Sequence, residues 1–109
     1  MEFKDKLIEL PTIEHLQGIN IQLGDQLIHH IPAVQGKLGS LKVYNALAQE
    51  FDGILDMKTA KKGLMLFCEH TEDAKLNPGK HPNIDFLIEV IKQDRTYKII
   101  PVIIETNKQ

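Results

Sequence analysis

The spacing of apolar residues changes several times along this chain, and each change marks an element. Phe3, Leu7, Ile8 and Leu10 form a helical stripe over residues 2–9 that Pro11 must end, so a two-turn docking helix is expected, with a short turn within Thr12 to Gln17. From Gly18 the period falls to two. GINIQL and QLIHHI flank Gly24-Asp25, a pair suited to a tight hairpin turn with a positive φ at Gly24. With those two residues as the loop, Leu23 pairs with Gln26, Ile21 with Ile28 and Ile19 with His30 on one face. Asn20, Gln22, Leu27 and His29 share the other, so His30 borders the core and His29 faces out.

Helical spacing returns after the loop Ala33 to Gly39. Ser40 suits an N-cap, the stripe Leu41, Tyr44, Leu47, Ala48 and Phe51 predicts a helix, and Gly53 closes it as the residue after the C-cap. Asp56 caps a second helix whose stripe, Met57, Ala60, Leu64, Phe67, Cys68, Thr71 and Ala74, runs to the Asn77-Pro78-Gly79 break. A competing reading ends that helix at Gly63 and makes LMLFC a buried strand; the stripe beyond it favours the long helix. Pro82 suits a first helical turn, with His81 or Asn83 as cap and Ile84, Leu87, Ile88 and Ile91 as the stripe, ending near Gln93. TYKIIPVIIE then reads as a strand in which Pro101 demands an edge or a bulge, with a frayed end from Thr106 to Gln109. The pattern predicts an α+β fold: a small antiparallel sheet of about three strands, the hairpin plus a C-terminal strand, with three to four helices packed on one face.

Composition narrows the functional classes. A chain of 109 residues with 42% hydrophobic and 26% charged residues fits one folded domain over residues 1–109. A net charge of −2 offers no basic face for nucleic acid or an anionic membrane, and the absence of tryptophan argues against a base-stacking platform. The lone Cys68 forms no internal disulfide, and neither a signal peptide nor a run of about 18 apolar residues is present, so a soluble cytoplasmic protein is expected.

The segments GSLKVYNAL (Gly39 to Leu47), GLMLFCEHTEDAK (Gly63 to Lys75) and PGKHPNIDFL (Pro78 to Leu87) together resemble a family of bacterial proteins of roughly a hundred residues, domain-of-unknown-function family 2322. The resemblance covers nearly the whole chain, with EHTEDA and PGKHPNID its most specific words. It implies a bacterial source and no activity, substrate or catalytic residue.

Titratable groups concentrate between Glu69 and Asp85. His70 and Asp73 lie on one face of the long helix, with Glu69 and Glu72 toward solvent, and a carboxylate beside an imidazole fixes its tautomer as a general base or a metal ligand requires. If the turn reverses the chain, His81 and Asp85 return to the same helix end. His70, Asp73 and His81 are thus the candidate catalytic residues, although HEXXH is absent and no recognised metal spacing is matched. The plainer account is a surface helical pair, His70 with Asp73, and a capping His81.

A second candidate is a pair of Gly-Lys loops entering helices, Gly36-Lys37-Leu38-Gly39-Ser40 and Gly79-Lys80-His81. Free amides and the helix dipole there favour an anion, so Gly36, Lys37, Gly39, Ser40, Gly79, Lys80 and His81 are candidate ligand-binding residues; the P-loop spacing is not met, and a plain turn-and-cap role accounts for the same glycines. His29 and His30 point to opposite sides of a strand and cannot share an ion, Cys68 reads as a small hydrophobe, and His15 is uninformative. No cofactor is expected. The leading reading is a non-enzymatic binding module that uses the surface around residues 69–85, joined by Gly36 to Ser40, for a partner protein or a small anionic ligand. The alternative is a histidine-dependent enzyme or metal-binding protein using His70 and His81, and self-association through the sheet is a third reading.

Overall fold

The computed structural model describes residues 2–105, so the expectation for Thr106 to Gln109 lies outside the described residues. The elements run α1 (Phe3–Glu9), β1 (Leu16–Leu23), β2 (Gln26–Pro32), α2 (Leu38–Glu50), β3 (Ile54–Leu55), α3 (Met57–Leu66), α4 (Glu69–Leu76), α5 (Pro82–Gln93) and β4 (Tyr97–Ile103). The class is α+β. Among the described residues its antiparallel sheet has four strands in the order β2-β1-β4-β3 where about three were expected, and there are five helices where three to four were expected.

Both extra elements have physical causes. β3 is two residues long, too short to show a period, yet it pairs with Lys98 and Tyr97 of β4 and buries Leu55 completely. The single long helix expected from Met57 to Ala74 is instead two. Cys68 takes φ 54 and ψ −126, which no helix accommodates, and the chain restarts as α4. The competing strand at LMLFC is also absent, because Leu64 to Leu66 complete α3 and Phe67 is its C-cap. Interrupting the helix frees the Leu64 carbonyl, and the Thr71 hydroxyl donates to it at 2.6 Å. Thr71 is therefore buried as a hydrogen-bond donor, not as part of a continuous apolar stripe.

The hairpin turn forms at Gly24-Asp25 as expected, and Leu23 pairs with Gln26. Beyond that pair the register slips. A β-bulge at Ile28 sets Ile21 opposite His29 and Ile19 opposite Ile31, so every later residue of β2 changes face. The predicted sides of the two histidines are thereby reversed: His29 is half-buried against the helices, whereas His30 is exposed and donates Nδ1 to Asn20 Oδ1 at 2.6 Å. Pro101, opposite Ile19 in β4, meets the expected edge requirement in part of a strand only. The Ile99 amide bonds the Gly53 carbonyl on the β3 side, residue 101 points the same way, and β3 is too short to reach it.

The helix α2 begins three residues earlier than predicted. Lys37 is the N-cap and Ser40 lies within the first turn, capping nothing. At its far end Asp52 and not Gly53 follows the C-cap, in the left-handed region at φ 57, and the Gly53 amide bonds the Ala48 carbonyl at 2.9 Å in the Schellman pattern. The α5 helix starts at Pro82 and ends at Gln93 as the sequence indicated.

Leu41, Tyr44 and Leu47 of α2, Ala60 and Leu66 of α3, and Ile84, Leu87 and Val90 of α5 form one cluster over Ile19, Ile21, Ile31, Leu55, Tyr97 and Ile99 of the sheet. Each large apolar side chain buried there contributes about 1.5–3 kcal/mol. By contrast α1 buries no residue, so it is held at the periphery by few contacts. No helix among the described residues is long and apolar enough to cross a membrane.

Candidate functional site

Two loops distant in sequence are brought to one end of the helical layer. Gly36, at φ 89, and Gly79, at φ 94, occupy backbone conformations that favour glycine, and each lets its chain double back into a helix start. Neither α2 nor α5 has a side-chain cap, and Pro82 at the start of α5 has no amide to satisfy. The amides of Leu38, Gly39 and Ser40 find no acceptor among the described residues, so the α2 start retains free donors.

Between the two starts lies a cavity of about 380 Å³. It is lined by residues 36–40 on one side, by Lys80 to Ile84 on another, and by Phe3, Phe67 and His70 on the third. Two lysines and two histidines face it, and no aspartate or glutamate does. A chain of net charge −2 has therefore placed two lysines on the wall of one concave place. Of the predicted ligand-binding residues, Gly36, Lys37, Gly39, Ser40, Lys80 and His81 line this cavity, while Gly79 shapes the adjoining turn.

His70 and His81 do meet across the reversal, their ring centroids 5.5 Å apart. The carboxylate partner differs from the expected one. Asp73 accepts from His81 Nε2 at 2.7 Å, not from His70, and Lys80 Nζ lies 2.9 Å from the same oxygen. The His81 hydrogen bond first, and that of Lys80 second, hold the Asp73 carboxyl down at about 2. Asn77 Nδ2 donates to the other Asp73 oxygen at 3.0 Å. His81 occupies the N-cap position of α5 without capping it, because its ring is turned to Asp73. Lys80 shares its charge with that carboxylate, whereas Lys37 has no salt bridge among the described residues.

The fourth member of the expected His/Asp set is elsewhere. Asp85 Oδ2 accepts the Gly79 amide at 2.9 Å, which stiffens the turn, and Asp85 does not line the cavity. Among the described residues no group of three or more His, Cys, Asp and Glu side chains is placed to hold a metal ion. Cys68 is half-buried at the helix break with Sγ 3.5 Å from the Leu66 carbonyl, and His15 is exposed.

Sequence reasoning missed the aromatic side of the cavity. Phe3 stacks on Phe67 at 5.5 Å and presents an edge-to-face contact to His70 at 5.0 Å. Its amide donates to Glu69 Oε1 at 2.9 Å, and the Glu69 carboxyl is lowered by its own backbone amide and then by that of Phe3. Asn83, expected as the alternative cap, has a different part. Its Oδ1 accepts from His29 Nε2 at 2.7 Å, and its carbonyl accepts from the buried Tyr44 hydroxyl at 2.6 Å. Burial pushes the Tyr44 pKa up and keeps the hydroxyl a donor. The start of α5 is thus anchored to both α2 and β2.

A family model described as "Uncharacterized protein conserved in bacteria" (DUF2322) matches residues 3–101, which include all the residues that line the cavity. No curated protein and no solved structure was found to match the chain.

Proposed function

The chain belongs to this family of uncharacterized bacterial proteins, which supplies no activity to build on, and we propose from the geometry that it is a non-enzymatic cytoplasmic module binding a small anionic ligand. The observation that carries the reading is the cavity with Lys37, Lys80, His70 and His81 on its wall and no carboxylate. The free amides at the start of α2 add oriented donors at the positive end of a helix dipole, which favour an anion by about 0.3–1 kcal/mol at an exposed site. Lys37, unpaired, is the side chain to which a phosphate or carboxylate group would bind most strongly. A ligand selective for the native state must raise its stability, by about 2.7 kcal/mol at a hundredfold excess over Kd. A thermal-shift series with inorganic phosphate, carboxylates and nucleotides, repeated on Lys37→Gln, tests this. A rise in melting temperature that the variant loses supports the reading, and no rise with any anion overturns it.

One arrangement favours a second reading. His81 lines the cavity with its Nε2 held by Asp73, an orientation suited to acid–base chemistry on a bound ligand. Turnover of a bound ester or phosphate monoester that disappears in His81→Gln while binding persists would favour that enzyme over a pure binder.

A further inference from the structure

We infer that the ligand of this cavity is an organic anion with a flat apolar portion, an aryl phosphate or aryl carboxylate in chemical class, which lays its ring against Phe3. The inference rests on the anion-binding reading above and adds the other half of the ligand. The cavity is mixed in character. Beside Lys37, His70 and His81 its lining includes Phe3, Leu38 and Pro82, and Leu38 remains 42% exposed although it lines a concave site. Phe67 and Ile84 form a buried apolar floor beneath them. A bare inorganic anion would leave this apolar surface in water, whereas a ring attached to the anion would cover it. The volume of about 380 Å³ falls at the lower end of the range of about 300–1,000 Å³ usual for small organic ligands.

Phe3, Phe67 and His70 already form an aromatic cluster that a ligand ring would join as a fourth. Phe3 lies 5.5 Å from Phe67 and 5.0 Å from His70, within the 4.5–7 Å range in which aromatic rings attract. Phe3 itself is only partly buried, on a helix that buries no residue, so its ring borders the cavity at the margin of the core.

Dissociation constants of the full chain for phenyl phosphate and benzoate, measured against inorganic phosphate and acetate by heteronuclear NMR titration, test the inference. At least one aryl anion is expected to bind about tenfold or more tightly than its bare counterpart, which corresponds to about 1.4 kcal/mol, and the better of the two identifies the anionic group. Phe3→Ala should abolish that preference without weakening the bare anion, and Phe3→Tyr should retain it. Phe3 is only partly buried at the margin of the core, so Phe3→Ala is expected to stay folded, which circular dichroism checks. Equal binding of aryl and bare anions, both lost in Lys37→Gln, overturns the aryl inference and leaves the anion reading standing. Failure of every anion to bind overturns both.

Discussion

His81 donates Nε2 to Asp73 Oδ2 at 2.7 Å, joining the start of α5 to the last turns of α4 across the Asn77-Pro78-Gly79 turn. The bond fixes the wall of the cavity that carries Lys80 and His81. It also keeps Asp73 off the cavity lining, its carboxylate bound by His81, Lys80 and Asn77 and its charge set against that of Lys80. The excess positive charge of the lining therefore rests on Lys37, which has no salt bridge among the described residues.

That contact gives a signature in acid. The folded-state pKa of Asp73 is held at about 2, below its ordinary 3.8, so its contribution to stability is complete above pH 3.8 and is lost as pH falls through about 2. Asp73→Asn should therefore be less stable than the parent at neutral pH and should show a flatter loss of stability between these values. Urea unfolding at a series of pH values measures it. An unchanged slope would show that Asp73 is not held as described.

Thr71 joins α4 to the interrupted end of α3 through its 2.6 Å bond to the Leu64 carbonyl. Thr71→Val keeps the shape but leaves a buried acceptor unpaired, at about 1–3 kcal/mol. Thr71→Ser should lose much less. Equilibrium denaturation of the pair separates the hydroxyl from the methyl group.

At Gly63 two effects oppose each other. Alanine improves helix propensity by about 1 kcal/mol, but its Cβ would meet Leu87 Cδ1 at 2.7 Å and Leu47 Cδ1 at 3.0 Å. Both leucines are fully buried, so overpacking, at about 1–3 kcal/mol, should win. Gly63→Ala is expected to lower the melting temperature, and a rise would show that α3 and α5 can move apart freely.

The two lysines of the cavity should not be equivalent. Lys80 is neutralised in part by Asp73 and Lys37 is not, so Lys37→Gln should weaken phosphate binding more than Lys80→Gln. Binding to both should weaken with added salt, because exposed charges are screened over about 8–10 Å at physiological ionic strength. Calorimetric titration of the two variants gives the order directly.

Local patterning made most of the scaffold legible. The stripe of α2, the Pro82 start of α5 and the Gly24-Asp25 turn each depend on a few neighbouring residues, and each is found where the letters place it. The two Gly-Lys loops were also visible as candidates, but only the tertiary fold brings them to one cavity. The break at Cys68 left no local sign, because a positive φ at a non-glycine residue is imposed by what packs around it. The bulge at Ile28 did leave one. The regular register put a histidine inside and Ile31 outside, a conflict that one extra residue resolves. The stripe over residues 2–9 indicates a docking helix, and nothing in two turns says that the ring of Phe3 will border a cavity beside Phe67 and His70, far along the chain.

The same bulge has a bearing on how copies of this chain meet one another. β2 is one of the two outermost strands, seven residues long, and it carries the exposed Leu27 and Ile28, the kind of border that invites another strand to add on. The irregularity falls between Leu27 and His29, so an incoming strand that hydrogen-bonds from one end falls out of step before it reaches the other. The residue that turns His29 inward thus also makes the open border of the sheet a poor template.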